Sequence, residues 1–144
     1  MVYQKNFFRL VQSYFLFKRD VCQFNKTGNL YYSGMLENGW VSGQIERRRF
    51  SGSGFLEPKG LSGQINSDSI ELHPCVAKDE SFLIFVSRRV DGRKNTKKTN
   101  DLYISFKGKN GQWGRALHLG GKLGDFPKMS PYISPDEKYL FFRS

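Results

Sequence analysis

Short apolar stretches separated by polar and glycine-containing segments make up most of this sequence. Between residues 27 and 144 no stretch repeats its apolar residues every 3.6 positions, as an amphipathic helix does, and only residues 6–17 are ambiguous between helix and strand. The apolar stretches after residue 70 have the length and the β-branched and aromatic content of strands, and they predict four of them, at residues 72–77, 81–87, 101–106 and 112–119. We therefore expect an all-β fold with no helix longer than two turns after residue 27.

The sequence contains an internal repeat. The segment from Glu71 to Phe85 aligns with the segment from Lys128 to Phe142, so that position 71 corresponds to position 128. The two segments share a proline, an Asp-Glu pair, a leucine and a phenylalanine at matching positions. A second set of positions recurs with almost the same offset (55 to 113), in which Phe55, Pro58, Leu61 and Ile65 correspond to Trp113, Ala116, Leu119 and Leu123. Two separate segments thus give nearly the same period, which is typical of a repeat architecture.

Two predicted hairpins also match each other. Residues 29–40 and residues 101–113 each contain a strand, an Asn-Gly turn and a second strand, and Asn-Gly is the strongest short-range signal for a hairpin. Their offset is larger (29 to 101), so we expect the first copy to carry an insertion of about 14 residues at 41–54, which costs little loop-closure entropy. Residues 14–17 match residues 82–85 weakly and are interpreted as an earlier second strand.

Four antiparallel strands that recur along a chain are typical of β-propeller blades. We interpret the chain as a single partial propeller domain, 1–144, of about two blades. It would consist of an incomplete blade with the insertion at 13–54, a complete blade with linking strands at 55–127, and the start of the next blade at 128–144. Because closed propellers need at least four blades, we expect this propeller to be incomplete.

Residues 131–142, Pro-Tyr-Ile-Ser-Pro-Asp-Glu-Lys-Tyr-Leu-Phe-Phe, resemble the WD-like, Pro-Asp β-propeller repeat of the periplasmic Tol-system propeller and of many bacterial envelope proteins. In that repeat Pro135 would preset the φ angle of a turn between two inner strands, and Asp136 would accept a hydrogen bond from the backbone beyond it. The resemblance implies an interaction platform in the periplasm or the envelope. Residues 1–20 show no signal-peptide pattern, and no apolar stretch approaches the length of a transmembrane segment.

The formal net charge of +10 indicates an affinity for anionic partners. Much of the excess lies in two blocks, Arg47 to Arg49 and Arg88 to Lys98, which are predicted to be loops, and the simplest interpretation is solvated loop charge. Nonspecific binding of a polyanion or nucleic acid through these loops is an alternative. The second block lacks aromatic residues that stack on bases, which argues against nucleic acid. We therefore expect the partner to be a protein, or an anionic glycan or peptide.

The sequence contains no catalytic motif that we recognise. It has neither the Gly-x-Ser-x-Gly elbow of a serine hydrolase nor the Ser-x-Asp-x-Gly-x-Thr-Trp box of a sialidase. Its two histidines, His73 and His118, and its two cysteines, Cys22 and Cys75, lack the spacing of metal ligands. We expect a non-catalytic binding module with no metal and no cofactor. The alternative is the propeller part of a glycan-active or peptidase-type enzyme whose catalytic residues lie outside this chain.

Strand direction predicts one candidate binding rim. Residues 72–77 would leave this rim and residues 81–87 would return to it, with the turn at 79–80 on the opposite rim. The predicted ligand-binding residues at the rim are Glu71, His73, Arg88, Arg89 and Asp101. The planar guanidinium groups of the arginines at this rim would bind an anionic group. The structural alternative is that Asp101 pairs with Arg88 or Arg89 and stabilises the loop. The aromatic strand at 138–143 is predicted to be an edge through which the chain self-associates.

Overall fold

The computed structural model describes residues 22–35, 41–90, 99–120, 123 and 126–144. These residues form strands β1 to β10, in order Cys22–Phe24, Leu30–Met35, Val41–Arg48, Lys59–Gly60, Glu71–Val76, Phe82–Ser87, Asp101–Phe106, Leu117–His118, Met129–Ile133 and Leu140–Arg143. The described part of the chain contains no helix, so it has no helix that could cross a membrane. The expected all-β class is confirmed.

The strands form three antiparallel sheets in which neighbours follow the chain order. The first sheet contains β1 to β4, the second contains β5 to β8, and the third contains β9 and β10. The second sheet agrees with the four predicted strands, except that β8 is much shorter than residues 112–119. The predicted Asn-Gly turn forms with Gly111 at a φ of 76°, but the chain then leaves the ladder, because the Ala116 amide donates to the Gln64 carbonyl at 3.3 Å.

The predicted insertion at residues 41–54 is wrong. Val41–Arg48 is β3, an eight-residue strand paired with β2, and Phe50 bridges Phe55 in the hairpin that follows. The arginine block resembles a loop in sequence, but its side chains alternate between the two faces of a strand. The first sheet therefore has four strands within residues 22–60, and the alignment of residues 29–33 with 101–105 is wrong as well. Residues 14–17 and the turn predicted at 38–39 lie outside the described residues.

Backbone pairing gives the correct correspondence between the first two sheets. Arg47 pairs with Lys59 across β3 and β4 as Ile104 pairs with Leu117 across β7 and β8. The Leu56 amide donates to the Arg49 carbonyl, and the Gly114 amide donates to the Phe106 carbonyl, both at 2.9 Å. Position 47 of β3 therefore corresponds to position 104 of β7. The same offset relates the second sheet to the third, where position 71 corresponds to position 128.

One type of turn joins the first two strands of each described sheet. Its fourth residue has a positive φ, which is 82° at Gly28, 61° at Glu80 and 59° at Glu137. In each case the amide of that residue donates to the carbonyl three residues earlier, at 2.8–3.1 Å. This conformation costs a residue with a β-carbon about 1–2 kcal/mol of conformational free energy. The two Asp-Glu turns were predicted, whereas the turn at 25–28 was missed because glycine stands in place of glutamate.

The second sheet is buried on both faces. One face packs with the first sheet around Tyr31 and Ile45, using Leu83, Phe85 and Tyr103. The opposite face packs with the third sheet around a cluster that contains Ile84, Val86, Leu102 and Ile133. Alternate residues of β6 thus belong to two different cores, which is why the strand is apolar throughout rather than alternating. The first strand of each following sheet, β5 or β9, packs against the sheet before it.

Candidate functional site

The candidate rim lies where β5 begins, β6 ends and β7 begins. Glu71 pairs with Ser87, and Ser87 pairs with Asp101, so the three residues form one row across the second sheet. Arg88 and Arg89 follow directly after β6. The turn at 79–80 joins the other ends of β5 and β6. The structure therefore brings the predicted residues to one edge, as strand direction predicted.

Glu71, like Ser87 in the same row, has no exposed surface. Its carboxylate accepts hydrogen bonds from the Ser67 hydroxyl at 2.6 Å, the Ser67 amide at 2.9 Å and the Ser87 hydroxyl at 2.8 Å. An Arg89 nitrogen lies 3.3 Å from the same carboxylate. A buried carboxylate needs such partners, because removing a charge from water costs several kcal/mol.

The Arg89 side chain is enclosed as well. Its guanidinium donates to the Ile65 carbonyl and to the Ser87 hydroxyl. The central carbon of the guanidinium lies 5.4 Å from the centre of the Phe85 ring and 5.0 Å from that of Tyr103, within the range of cation–π attraction. Arg89 therefore joins the second sheet to the segment that links it to the first, and only 15% of its side chain is exposed.

Asp101 joins the second sheet to the third. Its carboxylate lies 3.3 Å from the Lys128 ammonium and 3.5 Å from the His118 Nε2 atom. Lys128 is buried and also donates to the Phe126 carbonyl at 2.9 Å. Lys128, directly before β9, occupies the place that Glu71 occupies in β5. The contacts of Asp101 include Lys128, His118 and Thr99, and its predicted pairing with Arg88 or Arg89 stays a prediction.

His73 and Arg88 differ in their surroundings. His73 has a φ of 50° in a bulge of β5, and Ser130, 57 residues later in β9, has a φ of 51°. The His73 amide donates to the Ser33 hydroxyl at 3.1 Å, and its Nδ1 atom accepts from the Ser130 amide at 3.3 Å, so it contacts all three sheets. Arg88 is exposed, and its Nε atom donates to the Asn100 side chain at 2.7 Å.

A second buried polar group, centred on Glu80, lies at the opposite edge and was not predicted from the sequence. The Glu80 carboxylate accepts from the side chains of Asn25 at 2.6 Å and Asn29 at 2.9 Å, and it pairs with Lys107. Burial alone would raise the pKa of Glu80, but hydrogen bonds from Lys107 and Asn29 hold this pKa below its ordinary value. Glu80 thus joins the first sheet to the second.

The repeat offered a signal for this group. Glu137 corresponds to Glu80 in the next repeat. Its carboxylate accepts a hydrogen bond from the Lys78 amide at 2.8 Å, so Glu137 also contacts the equivalent turn of the preceding repeat. Sequence reasoning explained the Asp-Glu pairs by turn formation alone. Their recurrence at one period indicated a contact between repeats, since turn formation alone would favour glycine at the fourth position, where φ is positive.

The described residues contain no group of three or more histidine, cysteine or acidic side chains that could hold a metal ion. Comparison of the chain with known proteins gives no match to a family model, a curated protein or a solved structure.

Proposed function

We propose that this chain is a non-catalytic binding and scaffold module built from β-propeller-type blades, similar to the WD-like repeats of bacterial envelope propellers. The observation that carries the proposal is the recurrence of unusual backbone at one period. His73 and Ser130 share a positive φ at bulges, and Glu80 and Glu137 share one at turns, with the same offset in each case (73 to 130, 80 to 137). Residues with β-carbons adopt this conformation only where the surrounding structure requires it.

The use of the buried charges supports a non-catalytic role. Glu71, Glu80 and Asp101 each hold one sheet to a neighbouring sheet or linking segment through the contacts described above. A carboxylate engaged in this way has its oxygens occupied by fixed partners, whereas a general acid or base must reach a substrate. The same contacts favour a rigid scaffold.

We further propose that the exposed part of the candidate rim binds an anionic group of a glycan or peptide. Arg88 is exposed beside Val90, which is half exposed, whereas Glu71 and Arg89 lie beneath the surface and fix the end of β6. A planar guanidinium on a rigid strand end is suited to bidentate recognition of a carboxylate. The periplasmic or envelope location belongs to the same proposal and is supported by the sequence resemblance.

Binding of the immobilised protein to arrays of carboxylated glycans and acidic peptides tests this proposal. We expect wild type to bind at least one such class, and we expect Arg88→Ala to weaken that binding by about tenfold or more without lowering the melting temperature. Lys109→Ala removes an exposed charge from a different turn, so it should leave both properties unchanged. The proposal fails if wild type binds no anionic ligand, or if Arg88→Ala binds as tightly as wild type.

A further inference from the structure

Three cations of the first sheet lie together, on β3, directly after β3 and on β4. Arg47 and Lys59 are direct partners across β3 and β4, and partners across a sheet project from the same face. Arg49 follows Arg47 by two residues, the spacing that returns a side chain to the same face of extended backbone. These three residues, with Leu56 and Glu57, line a pocket of about 230 Å³. We call this the basic pocket.

The blade architecture does not require cations at these positions. The corresponding residues of the second sheet are Ile104 for Arg47, Phe106 for Arg49 and Leu117 for Lys59. All three are apolar. The fold therefore tolerates either an apolar or a cationic residue at these positions. Because the fold does not require the cations of the first sheet, we infer that they serve a purpose specific to that sheet.

In the described part of the chain, the cations of the basic pocket differ from the enclosed cations, which each have an ion-pair partner, and Arg47 interacts with the Tyr31 hydroxyl instead. Arg89 pairs with Glu71, Lys107 with Glu80 and Lys128 with Asp101. Within the residues that the structure describes, Arg47, Arg49 and Lys59 make no ion pair, and Glu57 is the one acidic residue of the pocket lining. The lining therefore carries a net charge of two positive units (three cations less one carboxylate).

We propose that the basic pocket binds the phosphate group of a small phosphomonoester. The charge of such a group, about −1.5 to −2 at neutral pH, matches the net charge of the lining, and its three terminal oxygens can accept from three cationic side chains. A water molecule occupies about 30 Å³ in the liquid, so the pocket has room for a group several times larger. Leu56, 44% exposed, offers an apolar contact for the ester substituent. Among the described residues, the lining has no aromatic ring on which a base would stack, which disfavours single-stranded nucleic acid.

Isothermal titration calorimetry with inorganic phosphate and with phenyl phosphate tests the proposal. We expect wild type to bind at millimolar concentration or tighter, and each of Arg47→Gln, Arg49→Gln and Lys59→Gln to weaken binding by about tenfold to a hundredfold. Lys109→Gln makes the same change in net charge at an exposed turn outside the pocket and should leave affinity within about twofold. Arg49 is exposed, so its variant should fold normally, which a melting curve verifies.

Equal affinity for the two probes would support recognition of the oxyanion alone, and tighter binding of phenyl phosphate would support a contact between the ester group and Leu56. The proposal is overturned if wild type binds neither probe at about 10 mM, a concentration that corresponds to negligible affinity. It is also overturned if Lys109→Gln weakens binding as much as the pocket variants do. The protein could instead bind a single-stranded oligonucleotide, with all four variants weakening that binding equally. This result would indicate a diffuse basic surface and would contradict binding in the basic pocket. Arg88 lies on the second sheet outside this lining, so failure here leaves the test of the rim unaffected.

Discussion

The second and third sheets place the same two positions in different surroundings. Cys75 and Ile84 are partners across β5 and β6, and Tyr132 and Phe141 are partners across β9 and β10 at the equivalent positions one repeat later (75 to 132, 84 to 141). Ile84 is 5% exposed, and Phe141 is 58% exposed. All four residues suit a packed sheet, so the presence of a neighbouring sheet decides their burial. The first two sheets each present one face to the sheet that follows, and the third sheet leaves the equivalent positions exposed.

The largest expected effect concerns the ion pair at the candidate rim of the second sheet. Arg89→Ala should lower the free energy of unfolding by about 3–5 kcal/mol, because it leaves the buried Glu71 carboxylate without its cation. Arg88→Ala, at an exposed position, should change it by no more than about 0.5 kcal/mol. Urea denaturation of the two variants measures the difference, and equal values would contradict a structural role for Arg89.

The comparison between the sheets themselves is tested by shortening corresponding side chains. Ile84→Ala should cost about 2–5 kcal/mol, because it leaves a cavity between the second and third sheets. Phe141→Ala should cost less than about 1 kcal/mol, because the ring already contacts solvent. Chemical denaturation gives both values. A cost for Phe141→Ala as large as that for Ile84→Ala would show that the third sheet is covered on this face.

The Glu80 group should contribute less than the Arg89 pair, and its contribution should depend on pH. Glu80→Gln is expected to cost about 1–3 kcal/mol at about pH 7. The pKa of Glu80 is lower in the folded state than in the unfolded chain, so its stabilising effect is complete above about pH 4.3 and is lost as the pH falls through the folded-state pKa. The difference between wild type and variant should therefore shrink on acidification.

Denaturation of wild type and Glu80→Gln at several pH values between about 7 and 3 measures this change. Glu57→Gln, which removes an exposed carboxylate, is the control and should remain close to wild type throughout. A difference for Glu80→Gln that stays constant or grows with acid would contradict a hydrogen-bonded carboxylate at this position.

The smallest expected effect concerns association through the exposed face of the third sheet. Tyr132 and Phe141 lie with ring centres 6.4 Å apart and both are more than half exposed. Replacing both with serine should raise the proportion of monomer at high protein concentration, because exposed apolar surface favours association. Sedimentation velocity measures this proportion, and Val90→Ser supplies a control at another exposed apolar residue. Identical sedimentation of wild type and the double variant would exclude association through this face.

The sequence predicted the second sheet well because its signals are local. The apolar stretch at 82–87 and the Asn-Gly turn at 110–111 specify strands and a hairpin through their own residues. The first sheet was assigned incorrectly because charged residues, Glu46 to Arg48, occupy the last three positions of β3. The pairing of β3 with β2 and β4, which these charged residues do not themselves signal, distinguishes such a strand from a loop.

The candidate rim was located correctly, but the partners within it could not be deduced. Strand direction brings Glu71, Arg89 and Asp101 to one edge without specifying which charges meet. Asp101 contacts Lys128, which belongs to the next sheet, and a contact between sheets depends on how they stack. The binding role of the rim residues remains a prediction.

Successive sheets stack in one repeating arrangement, and nuclear Overhauser contacts between methyl groups test this arrangement most directly. Val76 and Ile133 are equivalent positions of successive repeats, and each belongs to the core shared with the preceding sheet. We predict contacts from the Val76 methyls to the first sheet, around Tyr31 and Ile45, and from the Ile133 methyls to the second sheet, around Ile84 and Leu102. Contacts of either residue that remain confined to its own sheet would contradict the repeating arrangement.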